Sequence, residues 1–400
     1  MCLLQHPNKN IYLIFVALIF YEEELLALEN IRVLLPSPGD EVKIVIEKGR
    51  VYSFNEKRIE CKNVEDSDEI TKVIKNNVAE PEEGLMLIDI VESKKAFNIS
   101  LKDGIVLSGY KEKVTDLSSR RFNSLLFRNE ASTIEINGRF LRGDLELVRG
   151  AGGVKIINDL NVEDYLRYTI SKEMNPNWPI EALKAQAVLA RTFVLKKKYS
   201  SKNCLYDISN TTLDQVYNSF SEDSLEVIQA VSSTKGEVLK YNGEIIDALY
   251  HSCCGGMTTS SWEVFGFDKP YLVAVNCRCG GECPFGKGWR LIISVERLKK
   301  LFGLKKIEKI SEERGKIRII GDRNISLSKN SFRERIGFTE LKSSDFVIKF
   351  SNSKVEVIGK GFGHGVGLCQ FGAKKMAEEG KNYKEILLHY FKGVTLEKIY

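Results

Sequence analysis

Between Ile31 and about Glu130 the apolar positions fall in short alternating runs, such as Val42, Ile44 and Ile46 around Lys43. A period of two sets one face of a strand against a core and the other in water. Pro36, Pro38, Gly39, Pro81 and Gly84 interrupt these runs, so the region predicts short β-strands joined by turns. Two later stretches carry an Asn-Gly pair between apolar runs: Asn137-Gly138 within Ser132 to Val148, and Asn242-Gly243 within Val238 to Tyr250. Such pairs tolerate the positive φ of a two-residue turn, and both stretches predict tight hairpins.

After Asn161 the period lengthens. Val162, Tyr165, Leu166, Thr169 and Ile170 recur at three- and four-residue spacing, which predicts a helix from about Val162 to Met174. Asn175-Pro176-Asn177-Trp178-Pro179 breaks it, and a second helix is predicted over Ile180 to Tyr199 with Pro179 at its first position. Near the C-terminus, Gln370 to Glu379 and Tyr383 to Phe391 predict two short helices stopped by Gly380 and Gly393. Strands with segregated helices make the expected fold class α+β. No repeat of fixed period and no low-complexity linker divides the chain. The expected organisation is an N-terminal segment 1–30, a smaller β-rich region 31–130, and a core 131–400 of strands, hairpins and helices.

Composition narrows the function classes. A chain of 400 residues that is 43% hydrophobic and 28% charged can bury a sizeable core, so disorder is excluded as its main theme. The net charge of +5 is spread along the chain instead of forming an aromatic-studded basic stripe, which argues against nucleic acid as a partner. The run Ile11 to Phe20 behind Lys9 has the order of an export signal or N-terminal anchor, with a buried helix as the alternative. Ten apolar residues are too few to span a bilayer as a helix. An extracytoplasmic location is expected. Of nine cysteines, Cys253, Cys254, Cys277, Cys279 and Cys283 crowd together, which implies crosslinks or a metal.

Three features carry candidate chemistry. Glu173 is the next position on the apolar stripe of the first helix, beside Met174 and Trp178. Burial there would favour its protonated form, as a general acid needs; the alternative is a helix-end glutamate that reaches solvent. On the second helix Leu183, Ala187, Ala190 and Val194 form the buried seam. Lys184, Val188 and Arg191 run along one edge and Gln186 along the other, offering donors to an oxygen-rich ligand, or simply a solvated basic face. The run Gly361-Phe362-Gly363-His364-Gly365-Val366-Gly367 lacks the spacing of a dinucleotide loop. It allows close backbone approach around His364, with Gln370 opening the next helix.

The blocks NVEDYL, SKEM and NWPIEALKAQAVLART from Asn161, YHSCCGG from Tyr250, PYL from Pro270 and GKGFGHGVGLCQFGA from Gly359 resemble, in their order, the SpoIID/LytB family. The resemblance covers about residues 131 to 400 and implies a SpoIID-like catalytic domain there. It implies cleavage of peptidoglycan glycan strands by a lytic transglycosylase whose catalytic glutamate is Glu173. Lys184, Gln186 and Arg191, with Ser252, His364 and Gln370, would bind substrate. Zinc-binding members carry His and Cys before a Q-x-Y triplet, where this chain has Ser209, Leu213 and Asp214, so that site is not carried over. Instead Cys254, Cys277, Cys279 and Cys283 offer soft ligands for a structural zinc, with Cys253 or His251 as substitutes. Disulfides are the alternative in an oxidising exterior.

One carboxyl suffices for the implied chemistry. Glu173 would protonate the glycosidic oxygen, then accept the proton of the sugar's own C6 hydroxyl as a 1,6-anhydro ring closes. No cofactor is needed. A hydrolase would use water, with Glu163 or Asp164 as second carboxyl. A third reading is a glycan-binding enhancer that recruits a cell-wall amidase and cleaves nothing itself.

Overall fold

Residues 131–161 complete sheets that residues 30–54 begin, so the β-rich part of the chain extends past the boundary expected near residue 131. The computed structural model describes residues 30–54, 85–108, 121–209 and 224–400, apart from 37–38, 103–104, 151–152, 202–204, 278, 280–282, 284 and 314. The expected export signal and the Q-x-Y segment lie outside the described residues. Among the described residues no helix is long and apolar enough to cross a membrane.

The chain divides into two compact units, one comprising residues up to Glu173 with 197–223 and Tyr400, the other 174–196 and 224–399. In the first, a seven-stranded sheet runs in the order Ile208–Ser209, Asn30–Leu34, Gly153–Asn161, Asp144–Gly150, Ser124–Asn129, Gly49–Phe54, Leu85–Val91. A six-stranded sheet runs Arg139–Leu141, Ile134–Ile136, Glu41–Ile46, Lys95–Ser100, Ile105–Ser108, Arg121–Phe122. Val42, Ile44 and Ile46 are buried and Lys43 exposed, as the alternation predicts. Asn137 and Gly138 have φ of 49° and 78°, and their hairpin pairs Arg139 with Ile136. Antiparallel pairing such as Asn30 with Asn161 joins positions far apart in sequence, which local patterning cannot reveal. By compactness the chain divides at Glu173, with 197–223 and Tyr400 returning to the first unit.

Helix α1, Val162–Glu173, follows the last long strand directly. Asn161 Oδ1 accepts from the Glu163 N–H at 2.9 Å, and Glu163 and Asp164 lie in the positive first turn. Val162, Tyr165, Leu166, Thr169 and Ile170 are fully buried.

The second unit holds most of α2, Ile180–Ser200, and the helices α3 Leu225–Ser233, α4 Ser261–Phe265, α5 Val295–Phe302, α6 Lys329–Ile336, α7 Gln370–Glu378 and α8 Tyr383–Tyr390. Pro179 stands one residue before α2, where its carbonyl accepts from Ala182 and Leu183. From Ala182 to Leu195 nearly every position of α2 is buried, so it is a core helix on all sides instead of the two-edged one expected. Three small antiparallel sheets pack with these helices, and Trp289, Leu298, Phe332, Phe346 and Val357 belong to a common core. Gly380 and Gly393 take positive φ just beyond α7 and α8. Separate sheets and helices make the fold α+β.

A parallel pair, Tyr250–His251 with Leu368–Cys369, brings the glycine run against the CCGG segment. A Cβ at Gly363 would meet His251 Cβ at 2.8 Å, and one at Gly367 would collide with the Leu249 carbonyl. Glycine is required because backbone passes over backbone there.

Candidate functional site

Glu173 is the last residue of α1 and half-buried, one turn beyond the fully buried Thr169 and Ile170. The turn that follows it in the chain is ordered locally. Asn175 Oδ1 accepts from the Asn177 N–H at 2.9 Å, and Trp178 packs edge-on against Phe371 of α7, ring centroids 4.9 Å apart. Lys374 lies 6.0 Å above the Trp178 ring. The hydrolase partners stand at the other end of α1: Asp164 is ion-paired with Arg142 and Arg167, and Glu163 accepts from Tyr400 Oη at 2.7 Å.

The second unit gathers several of the remaining expected residues. Gln370 Nε2 donates to Gln186 Oε1 at 3.5 Å; Gln186 is fully buried and Gln370 nearly so. Gln186 Nε2 is a buried donor with no hydrogen-bond partner among the described residues. The imidazoles of His251 and His364 lie 5.5 Å apart, and Phe265 lies against His364. His251 Nδ1 donates to the Val366 carbonyl at 3.1 Å, which leaves Nε2 as the acceptor of a neutral ring. That nitrogen too is buried without a partner among the described residues. Burial pushes His251 down to about 4 and His364 to about 3, so both are neutral hydrogen-bonding groups near pH 7. The Ser252 carbonyl accepts from the Phe371 N–H at 3.2 Å.

Both expected cations of α2 already have partners. Arg191 is fully buried and donates to the carbonyls of Val231 and Glu237 at 3.4 and 3.1 Å. It caps the end of α3 and holds the strand that follows, so it is a structural cation and not a free substrate ligand. Lys184 pairs with Glu181 at 2.7 Å and lies 5.8 Å above the Tyr383 ring, its side chain 20% exposed. Glu181 in turn accepts from the Tyr383 N–H.

The cysteines sort differently from the expected set. Cys283 is joined to Cys253 in a disulfide. Cys254, Cys277 and Cys279 meet Cys369 instead, all four buried thiols; His251 is not in the group. Cys279 Sγ lies within 4.8 Å of both sulfurs of that disulfide as well as of the other three thiols, so disulfide and thiols adjoin. Cys369 was visible only as an isolated cysteine beside Gln370, and nothing local links it to a cluster about 90 residues earlier in the chain. Trp178 and Phe371 were likewise missed as a pair.

The family model described as SpoIID, Stage II sporulation protein, matches residues 150–241. The chain is 34% identical over 329 residues to an uncharacterised protein of Brachyspira hyodysenteriae, covering 77% of this chain and 89% of that one. It is 31% identical over 265 residues to the stage II sporulation protein D of Bacillus subtilis, covering 60% of this chain and 76% of the relative. It is also 32% identical over 292 residues to the amidase enhancer of Bacillus subtilis, covering 58% of this chain and 40% of that protein.

Proposed function

The chain belongs to the SpoIID family of stage II sporulation proteins, and from that premise we propose that it cleaves peptidoglycan glycan strands outside the cytoplasm as a lytic transglycosylase, with Glu173 as acid and then base. The observation that carries this reading is Glu173 itself, a half-buried carboxyl ending a helix whose stripe is otherwise buried and uncharged. It protonates the glycosidic oxygen as the bond to the anomeric carbon breaks. It then takes the proton of the C6 hydroxyl as that oxygen attacks the anomeric carbon, and a 1,6-anhydro end forms. Water is not consumed. Gln370, Ser252 and Lys184 of the second unit are the side chains this reading assigns to sugar; backbone holds both ring nitrogens of His364, and Gln186 is fully buried.

The spacing of carboxyls along α1 favours ring closure over hydrolysis. Glu163 and Asp164 precede Glu173 by ten and nine residues, which at 1.5 Å per residue is about 15 and 13 Å. A two-carboxyl glycosidase needs its pair within about 5–9.5 Å, and both rivals are already bonded.

The amidase enhancer among the relatives favours a second reading, in which the protein binds glycan and recruits a cell-wall amidase. Glu173→Gln separates the two, because it keeps the shape of the side chain and removes its proton. Transglycosylase action predicts 1,6-anhydromuramic products, by mass spectrometry of digested glycan, and a fall in turnover of at least about 10²–10⁴-fold in the variant with binding retained. Products with free reducing ends would indicate hydrolysis. No product, with equal stimulation of an amidase by both proteins, would establish the enhancer reading.

A further inference from the structure

We infer that Cys254, Cys277, Cys279 and Cys369 form a four-thiolate zinc centre that fixes the start of α7 against the CCGG segment. Their Sγ atoms all lie within 4.8 Å of one another, and Cys254 and Cys279 are 3.6 Å apart. A Zn–S bond of about 2.3 Å places the sulfurs of a tetrahedron about 3.8 Å apart, so the four thiols have the spacing of ligands to a single ion. A four-iron cluster would interpose four metals and their sulfides and hold the thiolates farther apart.

The surroundings are built for that cluster. The three contributing segments are tied together independently of any metal: Cys277 N–H donates to the Gly256 carbonyl at 2.9 Å, and His251 pairs with Cys369 across the parallel strands. A Cβ at Gly372 would collide with Cys277 Sγ and Tyr390 Oη, so glycine is needed one turn into α7 to admit the thiol. Tyr390 Oη lies 3.1 Å from Cys277 Sγ and can donate to a thiolate, the outer bond that orients a metal ligand. Cys369 is the N-cap of α7, where the helix N-terminus favours an anionic sulfur. Four buried thiolates repel one another strongly unless a dication lies among them. Cys253 and Cys283 also lie within 4.8 Å of Cys279, but their sulfurs are bonded to each other and the four free thiols are the ligand set.

The centre positions rather than reacts. By holding Cys369 it sets Gln370 and Phe371, which meet Gln186 and Trp178. The inference does not depend on the glycan reading, because metal content is measured without substrate.

The test uses the full chain purified with a thiol reductant and no chelator. Elemental analysis is expected to find one zinc per chain, and cobalt(II) in its place should give the intense red-region absorption of a tetrahedral all-thiolate site. Cys369→Ser should abolish the all-thiolate spectrum, whereas Cys283→Ser should leave metal content and spectrum unchanged. Because Cys369→Ser also alters a core side chain, the cobalt spectrum of the unaltered chain stands as an independent measurement. Metal-free protein whose intact mass shows the four thiols paired as two disulfides would overturn the inference. So would metal lost on Cys283→Ser but kept on Cys369→Ser, and mononuclear iron in place of zinc would overturn the choice of ion.

Discussion

His364 accepts from the Val366 N–H through Nδ1 and bonds the Tyr250 backbone through its other nitrogen, which fixes one neutral tautomer. Its value of about 3, set first by burial and then by His251 and Arg333, lies below the 6.5 of an unfolded histidine. The unfolded chain therefore binds this proton first, and stability rises with pH across that window and is lost as pH falls through it. Asp159, pushed up to about 6 by burial, acts with the opposite sign. The difference between wild type and His364→Asn isolates the histidine: the melting temperature of wild type should fall more steeply between about pH 6.5 and 4. Parallel curves would mean that His364 is not held neutral. Glu173, by contrast, was marked by its place on a helical stripe, a signal that needs only local sequence.

Helix α2 shows how far an element can be read from its own residues. Its span of Ile180–Ser200 follows from apolar spacing and the Pro179 start, yet the spacing suggested two solvated edges where packing leaves almost none. Arg191 is the instructive case, because its carbonyl partners at 231 and 237 belong to elements that no local pattern connects to α2. Arg191→Met should cost about 2–4 kcal/mol, since two buried carbonyls lose a charged donor. Chemical denaturation measures that loss, and glycan affinity per folded molecule should stay unchanged. A stable variant with weakened glycan binding would return Arg191 to the substrate-binding residues. Lys184 has the opposite expectation: Lys184→Ala should weaken glycan binding measured by pull-down on purified sacculi, with little change in melting temperature.

On the scale of the molecule, the thiol cluster and the disulfide lie wholly within the second unit. Calorimetry should show two transitions, the departure from two-state behaviour usual for chains of several units. Cys253 and Cys283 are 30 residues apart in sequence, and closing such a loop stabilises by about 3–4 kcal/mol in the chain-entropy account. Cys283→Ser should lower one transition and leave the other in place. A shift of both by the same amount would show that the two units unfold together.

The sequence alone determined the features that depend on neighbours: alternating strands, both Asn-Gly hairpins, the four helices read from their periodicity and caps, and Glu173 at the end of a stripe. Each rests on steric and hydrophobic preferences that act within one turn or one hairpin. Only the tertiary structure decided that residues 131–161 finish sheets begun at residue 30, that Gln186 meets Gln370, that Arg191 is interior, and that Cys369 replaces Cys283 beside Cys254, Cys277 and Cys279. Those contacts join positions about 40 to 180 residues apart, where the cost of loop closure rises only slowly with length. Packing of the whole core selects among them, and no local pattern encodes that choice.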